Sequence, residues 1–454
     1  MRLFKFVVAG AIAAWGLAPS AYAFHTGGVA ECEGCHTMHN SLEGAAMRAS
    51  LPQFQSGPYL LQGNDQSSAC LNCHQDPAAG SYHISTPGVA PSSPGLAPTG
   101  LPVQMTPGGD FAWLKTTRTG SIRNAATTWD GEKQGHNIIA VDYGFTKDTK
   151  TVAPGGSYPT ANLACSSCHD PHGRYRRDAS GNVGTPDGKG PTGSAAGASV
   201  SQPIFNSGSY TTSLAPTASS AVGVYRILGG KGYQPKSLSG SFAFASDPPD
   251  AVAPSNYNAV NTTIAGVADR VAYGRGVSEW CSNCHASMHN DTYTSGTTHL
   301  VHPAGNGAKL TATIAANYVA YVSSGVVGTP PNNGYSALAP FEVGVLDSTP
   351  ATYTALKAFQ AAPAAASTSN NVACVSCHRA HATAFESMTR YYTGNEFMTV
   401  ADSTAAAIYD STTTENKINT TYSVAQQTNA YNGRPATVFG PFARDYCNKC
   451  HAKD

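Results

Sequence analysis

The sequence predicts an irregular, coil-dominated fold with short helices and very little β-structure, and three observations carry that expectation. Forty-six glycines and 29 prolines are spread over 454 residues and interrupt any long periodic element. Tracts such as "STPGVAPSSPGLAPTGLPVQMTPGG" (85–109), "DASGNVGTPDGKGPTGSAAGASVSQ" (178–202) and "STTTENKINTTYS" (411–423) are poor helix or strand material. Twelve cysteines fall into six Cys-x-x-Cys pairs with none left over.

The pairs are Cys32/Cys35, Cys70/Cys73, Cys165/Cys168, Cys281/Cys284, Cys374/Cys377 and Cys447/Cys450. Each is followed at once by histidine: His36, His74, His169, His285, His378 and His451. Histidine is only 15 of 454 residues, so six such placements are not chance. Cys-x-x-Cys-His is the attachment site of haem c, with two thiols bonding the macrocycle and the imidazole ligating iron. Zinc sites need no histidine at the fifth position, and redox dithiols occur singly on a thioredoxin-like pattern. The fold class is therefore a multihaem cytochrome c, an elongated chain of six covalently attached haems.

The haems also explain how so much coil folds. Each porphyrin is an apolar plate tied to the chain at both thioethers and at its axial ligands, so it closes loops and lowers their entropy. Short helices are expected at "SEWCSNC", at "ARDYCNKCHAK" and over 378–392 ("HRAHATAFESMTRYY"), with "GVYRIL" and "GSFAFA" as short strands. No alternating run is long enough for a sheet core.

The opening "MRLFKFVVAGAIAAWGLAPSAYA" has Arg2, Lys5, an apolar run and a small-residue Ala21-Tyr22-Ala23 site. It reads as a signal peptide over 1–23, leaving 24–454 as a single hexahaem unit that is secreted. No later stretch reaches the about 18 apolar residues of a membrane span. Lys plus Arg and Asp plus Glu balance at 27 each, and no basic run recommends nucleic acid. Haem propionates would make the loaded surface weakly acidic, which suits metal oxides or cationic partners.

Six irons need six second ligands, and nine further histidines are available. His39, His172 and His381 stand three residues after a motif histidine, and His289 stands four after one. Such a residue stays on the near side of the porphyrin that its own motif holds. It is placed for a different, closely stacked haem. His83, His136 and His302 sit in loops between motifs, as ligands reaching back would, and His25 lies at the start of the mature chain. His299 is the most dispensable. Ligation by histidine on both sides closes the iron to substrate, so the chain is expected to carry electrons and not to be an enzyme. A multihaem oxidoreductase would keep one axial position open, and all six motifs here are standard. A monomeric shuttle remains the alternative on residues alone.

Ten stretches resemble the OmcS-type hexahaem c-type cytochromes, a family exported by metal-reducing bacteria that assembles into extracellular filaments. They are "FHTGGVAECEGCHTMHNSL", "SSACLNCHQ", "MTPGGDFAW", "GHNI", "CSSCHDPHG", "YRILGGKGYQPKSLSGS", "SEWCSNCH", "HPAGNGAK", "CVSCHRAHA" and "CNKCHAKD". The resemblance runs over essentially all of 24–454; the tracts 178–202 and 311–370 depart from it. It implies bis-histidine haems, end-to-end polymerisation, a location on the outer cell surface, and other outer-surface cytochromes, metal oxides or electrodes as partners. It also implies that His39 ligates the fifth haem of a neighbouring chain, the one held by Cys374, Cys377 and His378.

Overall fold

The computed structural model describes residues 32–42, 45–46, 55–75, 83–88, 98, 100–122, 125–171, 206–207, 228–235, 242–246, 249–253, 270–290, 301–323, 326–327, 331–344, 350–394, 397–400, 408–409, 428–439 and 442–451. The proposed leader, His25, His172, His299 and most of "GVYRIL" lie outside them.

The α-helices form mostly at the cysteine motifs, where glycine and proline are sparse. In chain order the α-helices are α1 (Cys32–Cys35), α2 (Gln66–His74), α3 (Cys165–Cys168), α4 (Val277–Cys281), α5 (Ala312–Ala320), α6 (Pro350–Ala361) and α7 (Cys374–Cys377). Five of these carry a motif, and the sixth motif lies on a 3-10 helix, Ala443–Lys449. Asp65 starts α2 by accepting the Ser68 N–H at 2.8 Å, which satisfies one of the donors a helix leaves unpaired at its start.

The expected helix over 378–392 does not form. Only a 3-10 turn, Glu386–Met388, appears there, because the main chain of this segment is engaged elsewhere. His378 bridges to Thr389, and Ala382 bridges to both Gly109 and Gly135. The expected strand "GSFAFA" is also absent over its described residues 242–245. Phe242 instead meets Tyr158 edge-on at 5.1 Å, and Phe244 meets Tyr233 and Trp280 at 5.4 and 5.9 Å.

Sheet is sparse, as the sequence predicts. Arg118–Ile122 and Ala125–Trp129 form an antiparallel hairpin with Gly120 opposite Thr127. Asp250–Ala253 lies between a parallel Asn206–Ser207 and an antiparallel Ala272–Arg275. The remaining paired strands have two or three residues each.

Haem is not left to supply the whole interior. Val252, Ala272, Tyr318, Tyr335, Phe341, Leu356 and Phe359 build a protein core with Cys450 at its edge. Its rings meet edge-on, Phe341 to Tyr318 at 5.1 Å and to Tyr335 at 5.3 Å, each such pair contributing about 0.5–1.5 kcal/mol beyond burial. A larger cluster includes Trp113, Trp129, Phe385, Tyr391, Tyr431 and Tyr446. Two smaller ones reach Cys281 and Cys165. The third, fourth and sixth motifs thus lie along the borders of apolar clusters.

Candidate functional site

Thiols of successive motifs approach one another in chain order. Cys35 is close enough to influence the ionisation of Cys70, and Cys70 hydrogen-bonds with Cys165. Cys284 lies near enough to Cys168 to act on it in the same way. Cys281 and Cys374 act on each other's ionisation, and Cys447 acts on Cys377. Each motif thus lies within electrostatic reach of the next. Burial pushes the Cys284 and Cys450 thiols up to about 12, the opposite of the lowered pKa of a redox dithiol. Cys374 is held at about 6 because a thiol of another motif, Cys281, hydrogen-bonds to it.

Three motif histidines are oriented by main-chain carbonyls. His36 Nδ1 lies 3.0 Å from Tyr59 O, His285 Nδ1 2.8 Å from Pro154 O, and His378 Nδ1 2.7 Å from Ser387 O. A carbonyl only accepts, so Nδ1 carries the hydrogen and Nε2 presents its lone pair. That is the arrangement of a metal-bound imidazole, whose second nitrogen is fixed by an outer partner. The first and fifth motifs are built alike to achieve it. Tyr59 and Ser387 both adopt left-handed backbone (φ 56° and 57°), as do Leu60 and Met388 after them (φ 60° and 58°). Thr37 N donates to Leu60 O at 2.7 Å and Arg379 N to Met388 O at 2.9 Å. Gln62 N and Arg390 N then close on Cys35 O and Cys377 O at 2.8 and 2.9 Å.

Two histidines from loops face motif histidines across a gap. The His136 and His285 ring centres are 6.0 Å apart, and so are those of His302 and His451. A metal–imidazole bond is about 2 Å and the ring centre lies about 1 Å beyond the nitrogen, so imidazoles on opposite sides of one iron sit about 6 Å apart. His136 Nδ1 is 2.7 Å from Ala380 O and His302 Nδ1 2.8 Å from Pro303 O, which again leaves Nε2 to coordinate. Burial, with His285 next, pushes His136 down to about 4, so it is neutral near pH 7 as a ligand must be. Among the described residues no three of His, Cys, Asp or Glu converge on a point. An iron already held by a porphyrin needs only two protein ligands, and the facing pairs fit that need.

The other histidines take various places. His381 leaves its own motif, stacking on Phe111 at 4.6 Å within the cluster that borders Leu71 and Cys165. His83 is carried beside the second motif, since Ile84 N donates to His74 O at 2.9 Å. His289 turns back so that Nε2 lies 3.5 Å from Glu279 Oε1, near Cys374. His39 is exposed beside Met38, which is 69% exposed.

The chain is 52% identical over 445 residues to C-type cytochrome OmcS of Geobacter sulfurreducens, covering 96% of each. It belongs to the OmcS family of c-type cytochromes. Haem c, covalently bound, is the cofactor of that class. The fold matches the cryo-EM structure of the OmcS nanowires from Geobacter sulfurreducens with a TM-score of 0.76 and 52% identity, over 95% of this chain and 100% of that one. It matches the Outer Membrane Cytochrome S filament from the same organism at 0.75 and 50% identity, with the same coverage. No family model matches the chain.

Some residues of this OmcS-family site carried no sequence signal. Lys449, between the last two cysteines, is buried and donates to Tyr318 O at 2.7 Å, Gly334 O at 2.6 Å and Tyr321 O. It pins the sixth motif to the end of α5. Arg270, Arg379, Arg390 and Arg434 are likewise buried, and Arg379 donates to Pro107 O at 2.9 Å and Arg390 to Val375 O at 2.7 Å. Among the described residues no helix is long and apolar enough to cross a membrane.

Proposed function

We propose that this chain binds six haems through its six motifs, polymerises end to end outside the cell, and passes electrons to extracellular acceptors such as metal oxides. The observation that carries this reading is the pair of facing imidazoles, His136 with His285 and His302 with His451, each 6.0 Å apart. When bound, a haem with two histidine ligands supplies a one-electron iron couple that exchanges electrons without making or breaking a ligand bond. The paired thiols of every motif, Cys70 with Cys73 among them, fix the macrocycles. His285 with His136 would hold the fourth haem, and His451 with His302 would hold the sixth. His36, His74, His169 and His378 take the motif side of the remaining four. The second ligands of the first three come from among His25, His83, His172, His289 and His381, and His39 reaches the fifth haem of a neighbouring chain. Closing both sides excludes substrate and makes a carrier, not an enzyme.

The likeness to nanowire and filament proteins supports assembly, and the leader over 1–23 supports export. Other outer-surface cytochromes and electrodes are the further partners, with 24–454 acting as one unit. The test is electron microscopy of purified protein beside electron paramagnetic resonance. Filaments whose irons are all low-spin are expected, and a high-spin iron in one haem per chain would revive the enzyme reading.

A further inference from the structure

Two serines outside the motifs repeat one geometry. Ser67 stands three residues before Cys70, and its Oγ accepts the Cys165 N–H at 3.0 Å. Ser278 stands three before Cys281, and its Oγ accepts the Cys374 N–H at 3.1 Å. Both serines are fully buried. In each case the donor opens the four-residue helix of the next motif, α3 or α7. In each case the first cysteines of the two motifs also come close enough to act on each other, Cys70 with Cys165 and Cys281 with Cys374. The recipient helices share a further detail: Ala164 N donates to Ser167 Oγ at 2.9 Å and Ala373 N to Ser376 Oγ at 3.1 Å.

The supporting sequences differ where the geometry does not. α2 has nine residues and is capped by Asp65, whereas α4 has five and follows the left-handed Gly276. What survives is a pair of patterns. "SSACLNCH" and "SEWCSNCH" share Ser-x-x-Cys-x-Asn-Cys-His, and "NLACSSCH" and "NVACVSCH" share Asn-x-Ala-Cys-x-Ser-Cys-His. Serine occupies the third position before motifs two and four and before no other motif.

A helix's first N–H groups have no partner within the helix. Buried, such a donor needs an acceptor. The serine supplies it from the preceding motif, so sliding or rotating one motif past the other breaks a buried bond at the residue that anchors a haem. We propose that Ser67 and Ser278 are positioning residues that lock motif two to three and motif four to five, fixing how the haems at each junction face one another. This rests on the haem reading above. Electron exchange between neighbours depends steeply on their separation and orientation, so these hydroxyls set two of the hops along the chain.

The test compares the unaltered holoprotein with Ser67→Ala, Ser278→Ala and their combination, and with Ser278→Thr, which keeps the hydroxyl. Haem is counted by pyridine haemochrome, the coupling of adjacent haems is read from the Soret circular-dichroism couplet, and intramolecular exchange from pulse radiolysis. The alanine variants should keep six haems yet lose couplet intensity and exchange severalfold more slowly, with Ser278→Thr close to the unaltered protein. Unchanged couplet and exchange in the alanine variants would overturn the proposal even if they melt earlier. So would a threonine variant that behaves as the alanine one does. Fewer than six haems in the unaltered protein would instead overturn the haem reading.

Discussion

His136 ties together two distant parts of the chain. It bonds to Ala380 O from 244 residues away while its ring faces His285. His136→Ala should leave six covalent haems, since the thiols and His285 remain, and turn one iron high-spin; carbon monoxide should then bind the reduced variant at one site per chain. Six low-spin irons would remove His136 from the ligand set. Glu342 poses a separate problem. Its buried carboxylate accepts the Val277 N–H at 2.7 Å and the Asn371 amide, joining the start of α4 to the segment before α7. Burial pushes it up to about 7, with Glu279 and Cys374 adding to the shift. A carboxyl raised above its unfolded value binds its proton more tightly when folded, so its contribution is full below about 4.5 and is lost as pH rises through about 7. Melting temperature followed from pH 5 to 8 should therefore fall less in Glu342→Gln than in the unaltered protein. Parallel curves would show that Glu342 stays ionised throughout.

Among elements, the left-handed pairs at Tyr59-Leu60 and Ser387-Met388 carry strain for a purpose. Left-handed backbone costs a residue with a side chain about 1–2 kcal/mol, and here it turns a carbonyl onto a motif histidine. Ser387→Gly should keep that carbonyl in place and leave the haem potentials unchanged. Ser387→Pro, with φ held near about −65°, should swing it away and raise the potential of one haem, because an unbonded imidazole is a weaker donor to iron. Spectroelectrochemistry decides it, and identical titrations of the two variants would end the idea. Gly109 is a stricter case. At φ 94°, an added Cβ would lie 1.9 Å from Ala382 O, so Gly109→Ala should destabilise by about 3 kcal/mol or more in a denaturant melt. These positions show what a sequence reader can and cannot see. The six motifs stand out in the sequence because haem c attachment asks for fixed residues at fixed spacing. The facing pairs do not, since His136 and His302 meet partners that only folding brings near. The cores around Phe341 and Tyr446 were hidden by Gly and Pro density, although Thr311 accepting from Ile314 N and Pro350 at the start of α6 are ordinary helix signals. Lys449 reads as a surface residue because lysine is almost never buried.

At the scale of the whole molecule, the first motif is the place where one chain should meet the next. His39 is exposed, and its neighbours are unusually apolar for solvent: Met38, Tyr59 and Leu60 are 69, 66 and 49% exposed. Tyr59 and Leu60 are fastened to His36 and Thr37 by the carbonyl contacts already described, so the patch surrounds the motif that carries His39. Lending His39 to a neighbour's fifth haem would cover these side chains and complete that iron in one event. Burial of three such side chains is worth about 1.5–3 kcal/mol apiece, and a metal–imidazole bond adds direction that apolar contact lacks. His39→Ala should therefore keep six haems, show one water-bound or high-spin iron per chain, and form monomers or short oligomers in sedimentation and micrographs. Tyr59→Ser should weaken assembly while leaving monomeric spectra intact, since the Tyr59 carbonyl that orients His36 remains. Normal filaments with six low-spin haems from His39→Ala would make His39 a bystander and move the junction to another face.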